Sequence, residues 1–330
     1  MLARNLLLGA AFAAPLALSA PASAQLAPGD VEIEGPMSEV SLQPGSETTT
    51  QGLRKWIGSI KVLGVTVRVL EGALIHTPTN AESVTLADFA ASAAKLPGRT
   101  EGGFIGGTAI VVGESIGGQV YVHDVFSDLS EHVVVGEATN PLIVNDTVTR
   151  SKVNEMEIRP LKDARMPAGP AINGLGLKIK ANAITTGTLV AAEGYYSSRQ
   201  DVLWYHTLEA DGAPLARWDR SQVAILRADC RVRGGGRDEI SVRGGVVLPA
   251  DGVVVISIPR PTNGWEQVGL VTAVPDPATG NPATGEPMQG EFRADFRGLT
   301  IAGGVCPTRV RASMNGTLNR ATVTADMDGR

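Results

Sequence analysis

Gly113, Ser115 and Gly117 reproduce the pattern G-x-S-x-G of serine hydrolases. In such an enzyme a strand turns sharply into a helix at the serine, and the small flanking residues let the hydroxyl project as a nucleophile. Here the motif is followed by residues 119–126, whose alternating apolar side chains predict a second strand. We therefore predict a hairpin whose glycines supply turn dihedrals, and we place Ser115 in its turn without a catalytic role.

The histidines do not indicate another catalytic centre or a metal site. His123 and Asp124 are neighbours on a predicted strand and point to opposite faces, which excludes a direct dyad between them. None of the four histidines has the spacing to carboxylates or thiols that metal ligands show. We predict no catalytic residue, no metal site and no cofactor.

The densest aromatic segment of the chain is GYYSSRQDVLWYH, residues 194–206. Alternation along a strand places Trp204 and His206 on one face, with Tyr195 or Tyr196 across the hairpin from them. Ring faces beside hydroxyl and imidazole groups are typical of a carbohydrate or peptide groove. The competing interpretation is a cross-strand cluster that stabilises the hairpin or an interface. The candidate binding residues are Tyr195, Tyr196, Trp204, Tyr205 and His206.

The elements that must position these residues form an internal repeat. Residues 107–128 align with residues 187–211, so that His123 matches His206. Each copy has the pattern of a strand, a turn and a strand, but the second copy replaces the G-x-S-x-G turn with tyrosines and serines. A motif that one copy lacks while keeping its strands behaves as a loop.

The whole chain has the pattern of an all-β protein, with short alternating runs separated by Gly, Pro, Asn and Asp. We predict an exposed lead-in strand or linker at 25–52, two related small β-barrel-like domains at 53–139 and 140–217, and an immunoglobulin-like β-sandwich of seven strands at 218–330. One short helix is expected near 84–95, with Thr85 or Ser83 as its cap.

The strand patterns GTAIVVG…GQVYVHDV and GTLVAAEGYY…VLWYHTLE carry a family resemblance. They resemble exported bacterial proteins built from tandem small OB-like β-barrel domains of unknown function, in which G-x-V-x-V-x-G and A-x-x-I-E strands recur. The resemblance covers half of the chain after residue 24. It implies export and a small-barrel fold, and it carries no catalytic residue to this sequence.

The first 24 residues have the pattern of a secretory signal peptide: Arg4, an apolar stretch at 6–20, and a small-residue site ending at Ala24. The apolar stretch is too short to anchor the chain in a membrane. We therefore expect an exported protein, periplasmic or extracellular, that does not span the membrane. In an oxidising compartment the only two cysteines, Cys230 and Cys306, are expected to form a disulfide within the sandwich.

The formal net charge of −5 gives no reason to expect a nucleic-acid partner. We expect a non-enzymatic exported protein that binds or displays an envelope glycan or protein. Two other classes stay open. One is an envelope hydrolase with active groups dispersed on loops, and the other is a structural subunit that assembles through sheet edges.

Overall fold

The computed structural model describes residues 29–80, 83–217, 219–247, 252–260, 263–280, 283, 285, 287–304, 306–315, 320–326 and 328–329. The signal peptide predicted at 1–24 lies outside these residues. Within them the chain is almost entirely β, as the sequence predicts. It folds into two closed barrels followed by a pair of packed sheets.

The first barrel is a ring of five strands: β1 (Gly29–Ser41), β3 (Gly52–Val62), β4 (Val65–His76), β5 (Thr108–Ile116) and β6 (Gln119–Asp128). Its order around the ring is β1-β3-β4-β6-β5, and only β4 and β6 run parallel. A further strand, β2 (Gly45–Thr49), pairs with residues 52–56 of β3, beyond the part of β3 that pairs with β1.

For the described part of 25–52 the alternative of a strand is correct, whereas the linker and the expected exposure are wrong. β1 pairs with β5 over eight residues and with β3 on its other side, so it closes the first barrel. Its Pro, Gly and Glu residues suggested an exposed segment, but Val31 and Ile33 pack against the barrel core and Met37 is fully buried in it.

The second barrel contains β7 (His132–Val144), β8 (Thr147–Val153), β9 (Met156–Pro160), β10 (Leu189–Ser197) and β11 (Val202–Ala210). Its order is β7-β8-β9-β11-β10, with β9 and β11 as the parallel pair. This is the order of the first barrel without β2. The boundary predicted between residues 139 and 140 is wrong, because β7 runs through it; the barrels meet between Asp128 and His132.

The aligned hairpins share a glycine at a β-bulge. The pairing of β5 with β6 shifts between Val112 and Gly113, and that of β10 with β11 shifts between Glu193 and Gly194. A Cβ on either glycine would lie well inside van der Waals distance of the partner strand, against the carbonyl of Tyr121 or of Trp204. Glycine is therefore required by close backbone approach in both copies.

Ser115 lies in β5, paired with Val120, and not in the turn where we expected it. The turn is Gly117 and Gly118, with φ of 58° and 80°, as two-residue hairpins favour. Strand β6 follows at once, and the fully described segment 108–128 contains no helix. The glycines of the G-x-S-x-G pattern therefore serve a bulge and a turn instead of a nucleophile elbow.

Among the described residues the one α-helix is α1 (Leu86–Phe89), which is much shorter than the segment 84–95 predicted for it. Thr85 begins it, because its backbone N–H and its hydroxyl both donate to the Asp88 carboxylate, at 2.9 and 2.7 Å. The helix ends early because the Phe89 carbonyl accepts from the N–H of Phe104 at 3.1 Å, across a loop, and not from a following helical turn.

The third region is a two-sheet sandwich. Its strands are β12 (Val223–Arg231), β13 (Asp238–Val247), β14 (Val253–Pro259), β15 (Trp265–Thr272), β16 (Val274–Asp276), β17 (Gln289–Leu299), β18 (Arg309–Asn315), β19 (Arg320–Asp326) and β20 (Asp328–Gly329). The sheets β16-β17-β13-β12-β20 and β15-β14-β18-β19 enclose one core. Cys230 of β12 is bonded to Cys306, just before β18, which confirms the predicted disulfide.

The two barrels share a core, whereas the sandwich joins them through a smaller contact. Met166 and Tyr195 of the second barrel are buried in the same cluster as Phe89 and Phe104 of the first. The contact with the sandwich is a small group of buried residues, Leu177, Leu215, Ala224 and Val247. The barrels therefore pack as one body, with the sandwich core separate.

Candidate functional site

The hairpin of β10 and β11 does not present its five candidate residues as one face. Tyr195 lies directly opposite Trp204, as the sequence predicts. However, Tyr195, Tyr205 and His206 are only 1, 1 and 2 % exposed. The prediction that they form a binding face is wrong, and Tyr196 and Trp204 are the two candidates that reach the surface.

Two of the buried side chains have structural partners. The Tyr195 hydroxyl donates to the Pro97 carbonyl at 2.8 Å and ties the second barrel to the first. The Tyr205 hydroxyl donates to the Val148 carbonyl at 2.5 Å inside the second barrel. Burial raises the pKa of both phenols well above the ordinary value, so both remain neutral donors.

His206 forms a buried pair with Asp128, across the junction of the two barrels. Its Nε2 lies 3.4 Å from Asp128 Oδ2, and both side chains are 2 % exposed. A second pair joins His76 Nε2 to Asp124 Oδ1 at 2.9 Å. A histidine oriented by a carboxylate can act as a general base, but the pair at His206 is closed to substrate. Neither pair was predicted, because the histidine and the aspartate of each pair are far apart in the sequence.

Tyr196 is exposed but tied to its own turn. Its hydroxyl donates to Asp201 Oδ1 at 2.8 Å, and its backbone N–H donates to His132 Nδ1 at 2.9 Å. The side chain of Trp204, by contrast, is partly buried and packs against the core shared by the barrels. Trp204 also lines a concave surface.

Trp204 lies in an open groove on the outer face of β8, β9 and β11, which we call the basic groove. Its volume is about 390 Å³. Three cations line it with a single indole and a few smaller side chains. The lining residues are Arg150, Arg159, Lys162, Trp204, Leu142, Thr149 and Pro160.

The position of Arg159 in the basic groove is fixed. It lies opposite Trp204 in the parallel pair of β9 and β11, with its guanidinium carbon 5.9 Å from the centre of the indole. Glu157 accepts from its Nε at 2.6 Å, and the Trp204 Nε1–H donates to Gln200 at 2.9 Å. The cation and the ring are therefore held in place before any ligand arrives.

The basic groove carries uncompensated positive charge. Glu157 neutralises Arg159, whereas Arg150 and Lys162 form no ion pair with any carboxylate in the described part of the chain. An indole face next to such cations suits a ligand that has both flat rings and negative charges. The arrangement can bind such a ligand, and it brings together no nucleophile and base.

The first barrel has an equivalent outer face, but there a further strand covers it. Arg68 lies opposite Tyr121 in the parallel pair of β4 and β6, the register that Arg159 and Trp204 occupy in the second barrel. There β2 places Glu47 over the pair, and Tyr121 is fully buried. In the second barrel β7 turns directly into β8 at Asn145 and Asp146, so no strand covers the face.

The cations of the basic groove were missed from the sequence. The signal that could have found them is the pattern apolar-x-apolar-Arg, present as VTVR at 65–68 and as MEIR at 156–159. It places Arg68 and Arg159 outward at equivalent points, because residues of one strand alternate between the core and the surface.

Among the described residues, no helix is both long and apolar enough to cross a membrane. The same residues contain no group of three or more His, Cys, Asp and Glu side chains placed to hold a metal ion. No protein-family model, curated protein or solved structure matches this chain.

Proposed function

We propose that this protein is an exported, non-enzymatic β-protein whose second barrel binds an acidic glycan of the bacterial cell envelope in the basic groove. One observation carries the proposal. Trp204 and Arg159 are held in a fixed arrangement beside Arg150 and Lys162, two cations without acidic partners among the described residues. An indole stacks on a sugar ring, and the cations hold its carboxylates.

The fold supports the same proposal. We interpret both barrels as OB-like, a class that binds oligosaccharides and oligonucleotides on the face of its second and third strands. In the second barrel these strands are β8 and β9, which contribute Thr149, Arg150 and Arg159 to the basic groove. The sandwich, which we interpret as immunoglobulin-like, has no part in this site.

Single-stranded nucleic acid would use the same combination of cations and a stacking ring. The export signal expected at 1–24 favours a glycan, because envelope glycans lie where an exported protein is delivered. A short single strand of DNA is therefore the right competitor in any binding experiment.

The test is calorimetric titration of the mature protein with an oligouronate and with a neutral glucan of the same length. Trp204→Ala should weaken binding of the oligouronate by about 1–3 kcal/mol, the range for losing an aromatic anchor. Its melting temperature should fall by less than for a fully buried ring, because Trp204 is only partly buried against the shared core. Tyr196→Ala is the matched aromatic control, since Tyr196 lies outside the basic groove, and should leave affinity unchanged.

Three outcomes would count against the proposal. One is equal binding of the oligouronate by Trp204→Ala and the parent protein. Another is tighter binding of the DNA strand than of the oligouronate. The third is a stability loss of about 3–5 kcal/mol in Trp204→Ala with binding untouched, which is the result for a ring that only packs a core.

A further inference from the structure

The covered face of the first barrel is built as a carboxylate site. Glu47 Oε2 lies 2.7 Å from Arg68 Nη1, and Glu47 Oε1 accepts a hydrogen bond from the hydroxyl of Tyr121. Arg68 Nη1 also donates to the Tyr121 hydroxyl at 2.8 Å. Each oxygen of one carboxylate therefore has its own donor, and the donors are bonded to each other. Such charge-assisted bonds are among the stronger ones in proteins.

Aromatic rings fix the cation of this site. The Arg68 guanidinium carbon lies 4.3 Å from the centre of the Trp56 ring and 5.4 Å from that of Tyr121. The guanidinium is thus held by stacking as well as by Glu47. Removing the Glu47 carboxylate should leave the other three side chains of the site in place, because Trp56, Arg68 and Tyr121 all belong to strands of the closed barrel.

The strand that brings Glu47 to the site is attached along one edge. β2 has the sequence GSETT, without an apolar side chain to bury, and it pairs only with β3. Its attachment depends on the backbone pairing with β3, on the Thr49 hydroxyl, which donates to the Gly52 carbonyl at 2.9 Å, on the close packing of Gly45 against the Trp56 ring, and on the carboxylate of Glu47. An external chain with a carboxylate can compete for the same donors without opening the core.

We propose that the first barrel holds a second site for the acidic ligand, closed in cis by Glu47 of β2 and opened when a carboxylate of the ligand displaces it. The proposal rests on the function proposed above. The ligand class follows from the occupant already present, which is a carboxylate on an extended chain. Arg68 and Tyr121 take the roles that Arg159 and Trp204 take in the basic groove.

The first experiment uses acetate as the probe. Glu47→Ala should melt at a lower temperature than the parent protein, and sodium acetate should raise its melting temperature by about 2–4 °C relative to sodium chloride at equal ionic strength. Glu39→Ala, which removes an exposed carboxylate from β1 of the same barrel, should show no acetate-specific gain. A Glu47→Ala, Arg68→Ala double variant should lose the rescue. Equal melting of Glu47→Ala in acetate and in chloride would overturn the proposal.

The second experiment counts bound oligouronate by calorimetry. The parent protein should bind one oligouronate tightly and a second only weakly, because Glu47 competes for the second site. Glu47→Ala should bind two tightly. Glu47→Gln, which keeps the side-chain size, serves if the alanine variant fails to fold. A single binding site in both the parent and Glu47→Ala, with Trp204→Ala still weakening binding in the parent background, would overturn the second site and leave the proposed function intact. If the parent binds no oligouronate, the proposed function fails, and the acetate rescue still decides whether the carboxylate site exists.

Discussion

Arg159 and Trp204 lie directly opposite each other on the parallel strands β9 and β11, with 5.9 Å between the guanidinium carbon and the indole centre. Arg68 and Tyr121 have the same relationship on β4 and β6. In each barrel, the parallel pair joins two strands that are far apart in the sequence. Both barrels use it to place a cation beside an aromatic ring on the outward face, which β2 covers in the first barrel.

Arg159→Ala should weaken binding of an oligouronate roughly 10- to 100-fold, the range for losing a hydrogen bond to a charged group. The loss has two causes: the cation goes, and Glu157 is left without its partner in the groove. Arg199→Ala removes an exposed cation from the turn of the neighbouring hairpin and serves as the control. Titrations at low and high salt check the prediction, since the effect of Arg159 should shrink as salt rises. Equal affinities for the two variants would exclude Arg159 from the site.

Gly113→Ala should destabilise the protein by about 1–3 kcal/mol or more, because the added Cβ meets the backbone of β6. Gly194→Ala should behave alike for the same reason. Ser115→Ala, two residues away in the same motif, should cost about 1 kcal/mol or less, the net value of one hydrogen bond. Chemical denaturation of the three variants tests this order. Covalent labelling of Ser115 by a fluorophosphonate probe would contradict the structural interpretation of the motif.

Tyr195→Phe should cost about 1 kcal/mol by removing the bond to the Pro97 carbonyl. Tyr195→Ala should cost about 3–5 kcal/mol and loosen the junction, because the ring fills the core shared by both barrels. Hydrogen exchange should then rise in α1 and in the loop at 97–104 more than in the sandwich. Tyr196→Ala, one residue along, provides the comparison. Similar exchange patterns for both alanine variants would mean that Tyr195 does not join the barrels.

Reduction of the bond between Cys230 and Cys306 should destabilise the sandwich by about 4 kcal/mol, since it releases a loop with a sequence separation of 76. The barrels should stay folded, because their core clusters share no residue with that of the sandwich. Calorimetry with and without reductant should show one shifted transition and one unchanged. Free thiols in the native protein would refute the bond itself.

Asp238 links the stability of the sandwich to pH. Its carboxylate accepts the N–H groups of Ile301, Arg233 and Gly234, each at 2.8 Å, and these bonds hold its pKa below the usual value. Because the folded-state pKa is the lower one, the stabilisation is complete above the unfolded pKa of about 3.9 and disappears as pH falls through the folded value. Asp238→Asn should therefore melt below the parent at pH 7. The difference in melting temperature between the two proteins should narrow towards pH 2, and a difference that does not change with pH would contradict this role of Asp238.

The alternation of apolar residues was sufficient to predict the all-β class and the repeated hairpins, because neighbours such as Val120, Tyr121 and Val122 face alternately inward and outward. It did not assign β1 to the first barrel, because only one face of that strand is buried and Glu32 and Glu34 alternate with the inward residues. Helix length was overestimated, because the loop that ends α1 contacts it from further along the chain.

The candidate site was harder to predict than the fold. Trp204 was identified because aromatic residues are concentrated in its segment. Closure of the barrel, however, is what makes Arg150 and Arg159 its neighbours and turns Tyr195 towards the other barrel. The burial of His206 likewise depends on Asp128, which belongs to the other barrel. Local patterns cannot supply such contacts, because they join segments far apart in sequence.

The shared core of the barrels also fixes an order of events during synthesis. A chain that emerges from its N-terminus has all the strands of the first barrel once Asp128 is free, yet Met166 and Tyr195 must still arrive to cover Phe89 and Phe104. About 70 residues separate these points, a delay of roughly 4 to 14 seconds at the usual rate of translation. A first barrel that folds within that interval exposes Phe89 and Phe104 as an apolar end, the kind of surface that chaperones bind, until the second barrel docks.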